Sequence, residues 1–150
     1  MRLLLDTNIL FAFSKDPTFQ LFERIIGPEI ERIFVSVVSV AELRSIAIQN
    51  NWGARRIKTI DILITRVIVI EVNESMVETY VQIDSFSQRK NPHHQSNSFS
   101  TPRNMGKNDL WIASTAALLG LKLITTDKDF NHLHDVFIEV EYIKPEQLKS

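Results

Sequence analysis

Apolar and polar residues alternate along this chain with two different periods. Leu3-Leu4-Leu5 is a short apolar run over residues 2–5 that predicts a buried strand, and Asp6-Thr7-Asn8 then opens a helix with Asp or Thr as its cap. Thr18 to Ile26 carries Phe19, Phe22, Ile25 and Ile26 at helical spacing and is broken by Gly27-Pro28. Ile33-Phe34-Val35 predicts a second strand. Val38 to Ile48 and Ala54 to Ile64 predict two helices, the latter with Ile57, Ile60, Leu63 and Ile64 spaced by three and four. The β-branched run Val67 to Ile70 predicts strand three, and Ser75 to Phe86 a helix. Asp109 to Leu119 is a helix stopped by Gly120, Leu121 to Thr125 a strand, Asp127 to Leu133 a short helix or turn, and Val136 to Ile143 a last strand ended by Pro145. Strands alternating with helices predict a parallel sheet covered on both faces. No internal repeat or second domain is visible.

The segment from Ser85 to Asn108 breaks this rhythm. It is rich in Ser, Asn and Gln, contains Pro92 and Pro102, and predicts a polar loop at about 87–106. Arg89, Lys90, Arg103 and Lys107 make it basic, with His93 and His94 and no acid, and Phe86 and Phe99 are interleaved. Charge that follows phosphates and rings that stack on bases describe a path for single-stranded nucleic acid. A mobile surface loop with solvated charges is the plainer alternative. The adjacent His93 and His94 are expected to be exposed rather than metal-bound.

Composition narrows the classes. A chain of 150 residues with 44% apolar and 23% charged residues fits one soluble globular domain. With no Cys it has neither disulfides nor thiolate zinc sites, which suits a reducing cytoplasm. No apolar run is long enough to span a bilayer, so no membrane association is expected. The formal charge of −1 supplies no global field for nucleic acid, so such binding would need a local basic patch.

The chemistry lies where elements change. Asp6 and Asp127 follow predicted strands, Glu42 lies early in a helix, and Asp109 opens one. In a parallel α/β sheet these positions meet on one edge. Any one of these acids could simply cap a helix, Asp109 in particular. Four together repel, by roughly 4 kcal/mol per pair at ~4 Å and an effective dielectric near 20. A hard divalent cation relieves this, and oxygen ligands suit Mg²⁺ or Mn²⁺. Trp111 falls inside a helical apolar pattern and is expected in the core.

Asp6-Thr7-Asn8 after a strand, Ser36 and Ser39 ahead of Glu42-Leu43, Asn108-Asp109-Leu110-Trp111-Ile112-Ala113, and Thr125-Thr126-Asp127-Lys128-Asp129-Phe130 together resemble the PIN-domain nucleases, in particular the VapC-type toxins of bacterial toxin–antitoxin pairs. The resemblance covers essentially the whole chain. It implies a single three-layer α/β domain over residues 1–150, with a central parallel sheet of about five strands and helices on both faces. It also implies metal-dependent cleavage of RNA. Asp6, Glu42, Asp109 and Asp127 would form the acidic site, with Asp6, Asp109 and Asp127 as metal ligands. Asn8, Thr125, Thr126 and Asp129 would support it. Arg89, Lys90, Arg103 and Lys107 are candidate RNA contacts. A cognate antitoxin and a homodimer are the implied partners. Two rivals stand beside this reading: a phosphotransferase or phosphatase with Asp6 as nucleophile, which would more often carry an acid where Asn8 stands, and a PIN-fold binding module without activity. A DNA nuclease of related fold is a third, and RNA is favoured over it by family analogy.

Overall fold

The computed structural model describes residues 1–30, 32–95 and 98–149. Five strands form one sheet: β1 (Arg2–Leu5), β2 (Arg32–Ser36), β3 (Ile68–Ile70), β4 (Lys122–Thr125) and β5 (Glu139–Tyr142). Their order is β3-β2-β1-β4-β5 and every neighbouring pair is parallel. The chain runs outward from the centre to β3, then returns to the far side of β1 to lay down β4 and β5. Neighbouring strands run their crossovers in opposite directions only at the β1/β4 boundary, where a parallel sheet opens a crevice at its C-terminal edge.

The side-chain period of two divides Leu3-Leu4-Leu5 between two cores. Leu3 and Leu5 join Ile9, Leu10, Phe13, Leu43, Ile60 and Leu63 on one face. That face is covered by α1 (Thr7–Ser14), α2 (Gln20–Ile26), α3 (Val37–Gln49) and α4 (Ala54–Thr65). Leu4 joins Ile83, Phe86, Leu110, Leu123 and Phe130 on the other. There α5 (Val77–Ser87) and α6 (Lys107–Leu119) form the cover. The three-layer architecture expected from the alternation is the one observed.

Element boundaries shift in ways the local chemistry explains. α2 starts at Gln20 rather than Thr18, because Asp16 accepts from the Thr18 and Leu21 N–H groups in a turn and Phe19 takes a left-handed φ of 61°. The last strand is confined to Glu139–Tyr142, since residues from Leu133 to Ile138 fold into tight backbone turns. α6 begins two residues before Asp109, capped by Gly106, so Asp109 lies inside the first turn and is not the cap.

The segment after α5 departs furthest from expectation. Its described residues form no regular secondary structure, yet they are packed. Phe99 is buried and meets Phe86 at 5.3 Å and His132 at 5.1 Å. The Asn91 amide donates to Gln82 and Ser85, and its oxygen accepts from the His93 and His94 N–H groups. The His94 ring lies 4.8 Å from Phe137, so it is a packed residue, not a simply exposed one. Phe86 and Phe99 are buried in the core under α5 and α6 and present no free face for a base.

α6 ends at Gly120, whose φ of 65° is left-handed. A Cβ there would meet nothing within 4 Å, so only the backbone conformation opposes a side chain. Gly120→Ala is expected to destabilise the protein by about 1 kcal/mol, read as a lower urea midpoint with an unchanged slope.

Candidate active site

Asp6 follows the central strand and extends its ladder through Asp6 N–H to the Ile124 carbonyl, 3.0 Å. At 3% exposure it is a carboxylate inside the protein. Its Oδ2 accepts from the Thr125 hydroxyl at 2.7 Å and its Oδ1 from the Thr7 N–H at 2.8 Å, the latter capping α1. Burial pushes its pKa up; the two hydrogen bonds oppose this, and Asp127 and Glu42 add to the rise. Each oxygen still has a lone pair to offer.

Thr125 Oγ1 also accepts from the Asp127 N–H at 2.9 Å, so one hydroxyl links the first and last acids. Asp127 Oδ1 in turn accepts from the Asp129 N–H at 2.8 Å and caps the 3-10 turn Lys128–Leu133. Thr7 has a parallel role on the other side. Its Oγ1 lies 2.9 Å from both Glu42 Oε1 and Ser39 Oγ. A carboxylate carries no proton, so the single Thr7 proton goes to Glu42 and Ser39 supplies the second bond. Ser39 and Glu42 are three residues apart on α3 and share a face, which is why one side chain reaches both. Thr7 and Ser39 complete the polar network, but no role in the site was expected of Thr7. Its position directly after Asp6 was the available signal.

Asp109 receives the summed field of the cluster. Among the described residues its carboxyl accepts no hydrogen bond, and burial raises its pKa to about 7 together with the charges of Asp6, Asp127, Glu42 and Asp129. Five acids thus act on one edge of the sheet. As they stand, no three of the described side chains converge on one coordination point. Their donors are all carboxylate oxygens, the chemistry that suits Mg²⁺ or Mn²⁺. Asn8 is exposed and lines, with Thr126, a groove of about 700 Å³ that runs past Phe11 and Leu21 to Leu148. Neither bonds Asp6; of the two threonines, Thr125 orients the carboxylate. Trp111 packs on Tyr80 at 4.5 Å but is only half-buried and joins neither core, short of the core position its helical pattern predicted.

The four basic candidates at and after the end of α5 separate into different situations. Arg89 donates from its guanidinium to the Phe99 carbonyl. Arg103 sits 5.6 Å from the Phe99 ring, its N–H bonded to the Ser87 carbonyl at 2.7 Å. Lys90 and Lys107 are exposed, Lys107 as the first residue of α6.

A parallel five-stranded sheet with acids at its C-terminal edge is the frame of one domain class. The PIN domain family profile matches residues 3–136, and the chain belongs to that family. It is 30% identical over 136 residues to Ribonuclease VapC1 of Haemophilus influenzae strain R2866, across 89% of this chain and 92% of that protein. The structure of VapBC-1 from nontypeable Haemophilus influenzae contains a chain 28% identical to this one, with a TM-score of 0.67 over 95% of this chain and 98% of its counterpart. VapBC2 from Rickettsia felis, bound to a DNA fragment from its promoter, gives a TM-score of 0.70 at 21% identity over 93% and 98% of the two chains, a likeness of fold.

Two outcomes follow from the geometry. Folded Asp109 holds its proton more tightly than an unfolded carboxyl at 3.8, so the native state is the more protonated between about pH 4 and 7, and stability falls as pH rises through that window. The full shift corresponds to roughly 4 kcal/mol, which solvent screening of a part-exposed group reduces to about 1–2 kcal/mol. Asp109→Asn is expected to flatten the fall and to exceed the parent in stability above pH 7, measured by thermal melts in chelator. Thr125→Val keeps the strand's shape but strips a donor from Asp6 and an acceptor from the Asp127 N–H. It is expected to cost about 1–3 kcal/mol in urea unfolding.

Proposed function

We propose that this chain is a divalent-metal-dependent endoribonuclease and the toxin of a type II toxin–antitoxin pair, working in the cytoplasm. The observation that carries the reading is the gathering of Asp109 with Asp6, Asp127, Glu42 and Asp129 on the edge where a parallel sheet binds ligands; burial first, and then these charges, raise the Asp109 pKa to about 7. Likeness to a protein named Ribonuclease VapC1 supports RNA as substrate. Likeness to VapBC complexes supports an antitoxin partner. Among the described residues no helix is long and apolar enough to cross a membrane.

Asp6, Asp109 and Asp127 would hold the cation, Mg²⁺ or Mn²⁺, which when bound lowers the pKa of water and neutralises charge on a phosphate oxygen. The chain's own residues do the rest. Thr125 fixes the Asp6 carboxylate and the start of the Asp127 turn. Thr7 and Ser39 hold Glu42 in one orientation, leaving its second oxygen to take a proton from the attacking water. Asp129 adds charge to the site without a direct bond to Asp109. Asp6, buried with both oxygens engaged, is poorly presented for in-line attack on a phosphate, which argues against the phosphotransferase rival. A homodimer is part of the same proposal; exposed Val77 and Val81, one turn apart on α5, offer an apolar strip to a second copy.

Purified protein incubated with total RNA and Mn²⁺ is expected to generate new, mappable 5′ ends, with none in excess EDTA. Asp109→Asn and Asp127→Asn are expected to abolish them while remaining folded. Equal cleavage of single-stranded DNA would make the chain a general nuclease, and undiminished cleavage in EDTA would remove the metal from the account.

A further inference from the structure

Beside the acidic edge lies a second concavity of about 370 Å³ that the chemistry above does not use. Its floor is Phe99 and His132, and its walls include Arg103, Lys128, Asp129 and Asn131. We propose that this cavity is a subsite for one phosphodiester of the RNA strand, a neighbour of the linkage that is cut, with Arg103 as its principal contact. The proposal rests on the ribonuclease reading and adds where the strand runs.

Four observations converge. The floor is rigid: Phe99 is 6% exposed, and the His132 ring is held by Ser87 Oγ at 2.7 Å. Arg103 is anchored at its backbone to Ser87 and at its side chain over Phe99, so little rotamer freedom is lost when its guanidinium binds. Among the described residues no carboxylate pairs with that guanidinium, whereas Arg89 is committed to the Phe99 carbonyl. Finally, Asp129 belongs both to the wall of this cavity and to the acids acting on Asp109, so the two sites are contiguous. Burial, and then the charge of Arg103, lower the pKa of His132 to about 4, so its ring is neutral. The positive charge on the walls therefore comes mainly from Arg103; the Lys128 ammonium lies 5.7 Å from the Tyr142 ring, Asp129 is a carboxylate on the same wall, and Asn131 can donate a neutral hydrogen bond. An exposed guanidinium on a fixed stem, with a lysine and an amide beside it, matches the diffuse charge and several acceptor oxygens of a phosphodiester.

The test is a walk of single methylphosphonate linkages, each removing one backbone charge, on either side of the mapped cut in a short RNA. With the parent, one linkage other than the cut one is expected to lower kcat/KM about tenfold. With Arg103→Ala, and to a lesser degree Lys128→Ala, that linkage should have no further effect. RNA binding measured in EDTA should show a salt slope shallower by about one for Arg103→Ala. Circular dichroism melts establish that each variant is folded, and Arg103→Lys should restore part of the loss. If every non-scissile linkage has the same effect in parent and both variants, the subsite is overturned while the ribonuclease reading stands. If the effect follows a 5′-terminal phosphate and no internal linkage, the cavity is a terminal-phosphate site and the proposal is overturned. If the parent cuts no RNA, the ribonuclease reading fails and the subsite, defined by its place beside the cut linkage, falls with it; cleavage with no linkage effect overturns the subsite alone.

Discussion

Burying the Asp6 carboxylate at the end of the central strand dictates most of what surrounds it. A charged group taken out of water costs several kcal/mol unless hydrogen bonds replace its hydration. Here the replacements are a hydroxyl from β4 and the first amide of α1. Neither partner is a spare group. The Thr125 hydroxyl is also the acceptor that sets the turn carrying Asp127, and the residue bearing that amide, Thr7, also positions Glu42. One buried charge therefore fixes three acids through two threonines, and register between β1 and β4 becomes a condition of the site.

The strand order explains why the acids gather where they do. Because β1 is central and the chain returns past it to form β4, the groups following these two strands face each other across the switch point. Glu42 comes from the helix after β2, which packs beside α1. Asp109 comes from the opposite layer, in the first turn of α6. Helices from both faces thus contribute to one edge. The repulsion this creates is concentrated on the member with no hydrogen bond of its own, Asp109. Burial and these charges together raise its pKa to about 7, and the pKa of buried Asp6 is raised as well.

Much of this was legible in the sequence, for identifiable reasons. Leu3-Leu4-Leu5, Phe34-Val35 and Leu123-Ile124 are buried on both faces, and such strands read as continuous apolar runs. The acids stood out because each falls at a change of element. What escaped detection depends on contacts distant in sequence. Thr7 meets Glu42 across 35 residues, and Thr125 meets Asp6 across 119. Thr126 looked as suitable as Thr125 because only strand parity decides which side chain turns inward. Gly106 as the cap of α6 was hidden by the more conspicuous Asp109, although a glycine cap offers no side-chain bond for a pattern to announce.

The 88–106 segment shows how composition can mislead in an informative way. Its Ser, Asn and Gln content predicts a solvated loop, and the interleaved phenylalanines suggest stacking platforms. In the fold those rings are spent on packing: Phe86 and Phe99 extend the core under α5 and α6 toward His132 and Phe137, with Asn91 stapling the segment to α5. The consequence runs opposite to a simple loss of function. Rings that pack cannot stack on bases, but they make a rigid bed on which cations are held at set positions. Arg89 is drawn into that bed and Arg103 is left at its rim beside Asp129. Two arginines alike in sequence thereby take different physical roles, one stabilising the segment and the other presenting charge next to the acidic edge. The segment therefore sets a positive side chain at a fixed place beside a negative edge, an arrangement that its composition alone does not announce.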